Sequence, residues 1–144
     1  MNEEVELKSI SRDTCFVAAT NIGKGRRAAV VPGPTAARYL HYGRITMDAG
    51  NAPISFENND HETGLICLQG QAEVLTGGDS YQLARYDSVY VPRDSKIEVR
   101  AGAAGCDLAE VSAPVSRKYP VRFVSYADVR ANPRLHIIAG KPPA

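Results

Sequence analysis

Apolar residues recur along this chain in short runs, and the longer runs alternate apolar with polar positions at a period of two. That period belongs to strands with one buried face. The pattern predicts strands near residues 14–20, 27–32, 38–47, 63–69, 71–76, 80–84, 88–91, 96–101, 107–113 and 121–124. The breaks between them are turn-forming: Gly33-Pro34, Asp48-Ala49-Gly50, Gly77-Gly78-Asp79, Pro92-Arg93-Asp94 and the stretch from Gly102 to Gly105. "GLICLQG" is apolar on both faces, with Leu65 and Cys67 on one and Ile66 and Leu68 on the other, so it needs cover on both sides. The best helical segment is "SYADVRAN" at 125–132, with Ser125 placed to cap it, Asp128 three residues on and Pro133 to stop it. Many short strands with turn signals between them predict an all-β sandwich or barrel.

The chain has 144 residues, enough for one domain with a core of its own. A single domain is expected over 1–144, its core at about 38–124, followed by a helix and an extended tail over 125–144. Seventeen basic and sixteen acidic side chains give a formal charge of +1, which offers nothing to nucleic acid or an anionic membrane. Lys24, Arg26 and Arg27 form one basic cluster, read as a solvated loop; "GKGRR" lacks the spacing of a phosphate-binding loop. No apolar run is long enough to span a bilayer, and the acidic start "MNEEVELKSISRD" is no signal peptide. Cys15, Cys67 and Cys106 form no CxxC, and an odd count without an export signal predicts reduced thiols in the cytoplasm. Cys67, inside an apolar strand, reads as a small core residue.

The order strand, Gly50, loop, strand, Gly70, hairpin, then "YDSVYVPRDSKIEVRAG" resembles the cupin superfamily. The resemblance implies a double-stranded β-helix, a jelly-roll-like barrel, with one short C-terminal helix. Cupins carry two spaced motifs that supply three histidines and a glutamate to a metal. Counted from Gly50, the first two histidine places fall on Phe56 and Asn58. Counted back from Gly70, the glutamate place falls on Thr63, one residue from Glu62; around Pro92 the third histidine place falls on Ile97. Phe and Ile offer no donor atom, so no metal and no other cofactor is expected. Of the three histidines, His41 is read in the strand before Gly50, His61 at a loop–strand junction and His136 in the tail.

A narrower likeness lies in "GGDSYQLARYDSVYVPRDSKIEVRA" followed by "APVSRKYPVRFVSYADV". These stretches are similar to the family of 5-keto-4-deoxyuronate isomerase and 5-deoxyglucuronate isomerase, and the likeness runs from about residue 38 to 138. Its most specific element is Ala113-Pro114…Tyr119-Pro120. The family's enzymes are bicupins about twice this length with their metal-binding residues in the second half. This chain resembles the first half, so no family ligand or catalytic residue maps onto it. The resemblance implies descent from sugar isomerases, in uronate or inositol breakdown.

Candidate ligand-binding residues are His61, Glu62 and Thr63 at the expected barrel opening, with Arg44, Arg100 and Tyr90 on neighbouring strands. A sugar acid would engage an arginine in two-point contact, and a tyrosine could stack on the sugar ring. Arg122 and Tyr39, Tyr42, Tyr81 and Tyr86 belong to the same strand-borne set, their ordinary role being solvated faces and rims. Asp60 and Glu62, two apart, are expected to share a face. The cavity-facing places read Thr63, Leu65, Cys67 and Ile97, an apolar list without a base. The expected function is a metal-free cupin that binds a small sugar acid or serves as an accessory domain. The alternatives are an isomerase, alone or as one half of a split enzyme with a metal-bearing cupin partner chain, and a purely structural subunit. A homodimer is expected, through a sheet face or a swapped N-terminal strand.

Overall fold

The computed structural model describes residues 6–141. Eight antiparallel strands form one continuous sheet that wraps into a barrel: β1 Gly25–Val30, β2 His41–Met47, β3 Ile54–Glu57, β4 His61–Thr76, β5 Asp79–Leu83, β6 Ser88–Val91, β7 Lys96–Pro114 and β8 Arg122–Val124. Two short helices flank it, α1 Arg12–Cys15 and α2 Tyr126–Ala131. The fold is all-β, as the alternation predicts.

The barrel is organised by its two longest strands. β4 and β7 pair with each other from His61↔Pro114 to Leu75↔Glu98, and each changes its other neighbour part-way. β4 pairs with β6 through 63–66 and with β5 through 72–76. β7 pairs with β3 through 96–99 and with β2 through 106–112. The change occurs at register shifts around Gln69–Ala72. There Gly70 has φ +71°, and a Cβ on it would sit 2.1 Å from the Gly105 carbonyl oxygen. Glycine is required at this crossing, both for its left-handed backbone and for the close approach.

This corrects several expectations. The segments 63–69 and 71–76 are one strand, and so are 96–101 and 107–113; Gly102–Gly105 bulges within β7 instead of turning. Residues 14–20 form no strand: Arg12–Cys15 is a helical turn, with Ser11 and Thr14 bonded reciprocally as a capping box. It adds a second helix to the single one expected. β3 was absent from the sequence reading. The basic cluster is not a solvated loop, because Arg26 and Arg27 lie in β1. α2 forms where expected, and its cap is the anticipated one, the Ser125 Oγ accepting from the Asp128 amide at 3.1 Å.

Inward positions of each strand fill the lower barrel. Ile45, Leu65, Val74, Val89, Val91, Ile97, Val99 and Leu108 are almost wholly buried. Each such side chain contributes roughly 1.5–3 kcal/mol. Cys67 lies among them, fully buried as expected, and burial pushes its thiol up to about 11.

Candidate functional site at the barrel mouth

The inward parity of the strands continues past the apolar core and ends in polar residues. On β2 the inward series Met47, Ile45, Gly43 leads to His41; on β7, Leu108 leads to Glu110 and Ser112; on β4, Cys67 and Leu65 lead to Thr63 and His61. Arg26 on β1 pairs with Ile45 and so faces the same way. With Asn58, Asp60 and the end of β3 these residues line an open cavity of about 540 Å³.

The Arg26 guanidinium lies over the Phe56 ring, 3.8 Å from its centroid. Glu110 grips it from the side: Arg26 Nε donates to both carboxylate oxygens, at 3.1 and 2.9 Å, and a terminal nitrogen donates at 2.7 Å. Two-point, charge-assisted contact of this kind fixes both side chains. The Glu110 side chain is 9% exposed, so the pair holds a charge that would otherwise be buried alone. Asn58 is equally committed: its amide nitrogen donates to the Pro92 carbonyl at 2.8 Å, and its oxygen accepts from the Ser95 amide at 2.9 Å.

On one wall two imidazoles meet edge to face. The His41 and His61 rings are 4.6 Å apart, centroid to centroid, at 75°. His61 Nε2 is 3.6 Å from Asp60 Oδ1, and its Nδ1 is 3.5 Å from Ser112 Oγ. Burial holds the His41 pKa below its ordinary value, and neighbouring His61 adds to that, while Asp60 opposes it. The three carboxylates lining the mouth, Glu57, Asp60 and Glu110, outnumber its one guanidinium, Arg26. Leaving the imidazoles aside, one positive and three negative charges give a net of −2.

The structure divides the expected site residues. His61 and Thr63 line the mouth. Glu62 and Tyr90 lie on the outer face, where the tyrosine hydroxyl donates to Glu62 Oε2 at 2.7 Å; burial and that bond push the Tyr90 pKa up to about 12. Arg44 is also outward, its Nε donating to Asp107 Oδ1 at 2.9 Å while a terminal nitrogen bonds Oδ2. Arg100 is outside, beside Glu98 and Glu73. Asp60 and Glu62 do not share a face, because Asp60 sits in the turn before β4 and lines the mouth while Glu62 points outward. The interior is not free of bases either. His41, Arg26, Glu110 and Ser112 were missed as cavity residues, although the parity from Ile45 to His41 and from Leu108 to Ser112 marks them.

The four places where a cupin holds its metal do come together: Phe56 and Ile97 are direct cross-strand partners, and Asn58 Nδ2 lies 3.4 Å from Thr63 Oγ1. Their contents do not fit a cation. Phe56 packs beneath a guanidinium, Ile97 is buried in the core, and both amide atoms of Asn58 are engaged. Among the described residues, no group of three or more His, Cys, Asp or Glu side chains is placed to hold a metal ion.

Two long antiparallel strands that exchange neighbours part-way, closing a barrel that is apolar below and open at a polar mouth, give the architecture of the cupins. Solved structures share the architecture. An IolB-like protein from Salmonella typhimurium is 22% identical with a TM-score of 0.64, over 76% of this chain and 43% of that one. A cupin protein from Bacteroides fragilis is 13% identical with a TM-score of 0.55, over 82% and 92%. KdgF from Halomonas sp. is 16% identical with a TM-score of 0.52, over 63% and 78%. The family model described as KduI/IolB matches residues 16–134, and the chain belongs to that family of sugar-metabolism cupins. It spans less than half the length of the Salmonella relative. No curated protein matches it.

Proposed function

We propose that this chain is a metal-free cupin that binds a small sugar in its barrel mouth, within the breakdown of uronates or inositol-derived sugars. The observation that carries the reading is the contrast along the barrel. The lower interior is packed with aliphatic side chains, whereas the mouth is an open cavity of about 540 Å³ lined by hydrogen-bonding groups. A scaffold would have no use for a concave polar site, and a few placed polar groups in a concavity are the usual mark of a small-molecule site. Thr63, Ser112 and the Glu110 carboxylate supply donors and acceptors suited to sugar hydroxyls. The net charge of −2 favours a neutral sugar over the sugar acid expected from the sequence. Arg26 is engaged with Glu110, and a ligand carboxylate would have to displace that partner.

The test is saturation-transfer NMR with D-glucose, D-galactose, D-glucuronate and myo-inositol, on the wild type and on Ser112→Phe, which projects a ring into the mouth. Binding of at least one neutral sugar, lost in the variant, is the expected result. Absence of binding by all four, or binding indifferent to the blocked mouth, overturns the reading. Elemental analysis of the same protein should find no stoichiometric transition metal.

A second reading is supported by the length comparison. The chain aligns with 43% of the Salmonella IolB-like protein, which is what one barrel of a two-barrel enzyme would give. On that reading a metal-bearing cupin partner chain completes a split isomerase. Co-purification with such a chain, bringing isomerase turnover that neither possesses alone, would favour it.

A further inference from the structure

The paired imidazoles have no structural duty that explains them. The lower core is complete without them, and both rings line the cavity. We propose that the mouth catalyses the interconversion of the anomers of an aldose bound there, with His41 as general base and His61 as general acid. This rests on the sugar-binding reading and adds a reaction to it.

The chemistry asks for two proton-transfer groups side by side. The anomeric hydroxyl oxygen O1 and the ring oxygen O5 are both bonded to C1, so the base and the acid must reach two neighbouring atoms. Two rings in edge-to-face contact, 4.6 Å apart, meet that demand. In the forward step His41 takes the proton of the O1 hydroxyl, and the O1–C1 bond becomes a carbonyl. The C1–O5 bond breaks with its electron pair going to O5, which takes a proton from His61. The open aldehyde turns about C1–C2. In closure O5 attacks the other carbonyl face, returning its proton to His61 while O1 takes one from His41. Nothing is oxidised or reduced, and no metal, cofactor or water enters the balance.

The surroundings assign the two roles. Asp60 Oδ1 stands 3.6 Å from His61 Nε2, so the ring given the acid's role has a carboxylate beside it. Burial holds the His41 pKa below its ordinary value, which favours the neutral state a base needs. The other charged groups facing the pair are Glu57 from β3, Arg26 from β1 and Glu110 from β7. Glu110 is held by Arg26 and left to accept hydroxyl hydrogens, so it does not compete for the transferred proton.

Exchange NMR between the α and β anomers of D-glucose and D-galactose, with catalytic amounts of protein, tests the proposal. Anomer exchange should exceed the buffer rate by roughly tenfold or more, in line with general acid–base effects, and show a bell-shaped pH profile. His41→Asn and His61→Asn should each remove most of the acceleration while saturation-transfer binding stays within about twofold. Near-ultraviolet circular dichroism confirms that each variant is folded. Sugar binding without acceleration overturns the catalytic proposal and leaves the binding site standing. No binding by any sugar removes both. Acceleration that survives both substitutions overturns the assignment of roles.

Discussion

At the scale of single residues, buried charge decides most of what the site can do. The sequence offered Arg44 and Arg100 as ligand contacts because strand arginines are suited to carboxylates. The strand parity that turns Arg26 inward and Arg44 outward was readable, but Arg26 was assigned to a loop, where parity has no meaning. Its partner Glu110 lies 84 positions away, so the pairing was invisible to any local pattern. The Arg44–Asp107 pair on the outer face is more enclosed, with side chains 11% and 15% exposed. Removing one member leaves an uncompensated charge under cover. Asp107→Ala should therefore lower unfolding free energy by about 3 kcal/mol in urea titrations, whereas Arg100→Ala, on an exposed pair, should cost less than about 1 kcal/mol. His41 gives a pH signature. Its folded pKa lies below the ordinary imidazole value of 6.5, so the unfolded chain takes up the proton first. The stability this neutral imidazole contributes is complete above that value and is lost as pH falls through the folded pKa. An NMR titration placing the His41 midpoint at or above 6.5 would contradict the burial seen here.

At the scale of elements, alternation made the strand positions legible, but it could not show where strands join. Gly70 and the Gly102–Gly105 stretch looked like ends because glycine usually punctuates. Here they let β4 and β7 run on through a bulge and exchange neighbours, which is what curls the sheet into a barrel. β3 is four residues long, too short for a period to register, and the count from Gly50 places Phe56 without revealing the strand that carries it. α1 lies in "SRDTC", where apolar neighbours suggested a strand and the local capping bonds prevailed. The cupin spacing proved geometrically sound, since Phe56 and Ile97 face each other across β3 and β7. The glycine argument makes a sharp comparison. Gly70→Ala meets both a left-handed backbone and a carbonyl at 2.1 Å, and should cost roughly 3 kcal/mol or more. Gly77→Ala has φ +61° but open space around it, and should cost only about 1 kcal/mol. Equal melting shifts for the two would show that the β4–β7 crossing relaxes, and that glycine is not what shapes the barrel.

At the scale of the whole molecule, polar and apolar surfaces are segregated in a way that separates binding from assembly. The mouth is built from β1, β2, β4, β7 and the segment around residues 57–60. The opposite flank, made by β5, β6, β8 and α2, contributes nothing to it and exposes aromatic and apolar side chains. Tyr81 and Phe123 stack with centroids 6.1 Å apart, Tyr86 and Tyr126 meet edge to face at 5.2 Å, and Val124 lies beside them in the three-residue edge strand β8. α2 buries none of its residues against the barrel. Such a flank is costly to leave in water, and β8 offers an unpaired edge to another strand. The homodimer expected from the tyrosine-rich strands is proposed to form here, two copies joined through β8 and α2 about a two-fold axis. Sedimentation at micromolar concentration should show a particle of twice the 15.5 kDa chain mass. The double variant Phe123→Asp, Val124→Asp should sediment as a monomer with unchanged circular dichroism. Because no residue of β8 or α2 lines the mouth, that monomer should bind sugar as the dimer does. A wild-type chain that sediments as a monomer would overturn the assembly. A monomeric variant that has lost sugar binding would show instead that the second copy completes the site, and that the mouth described here is only part of it.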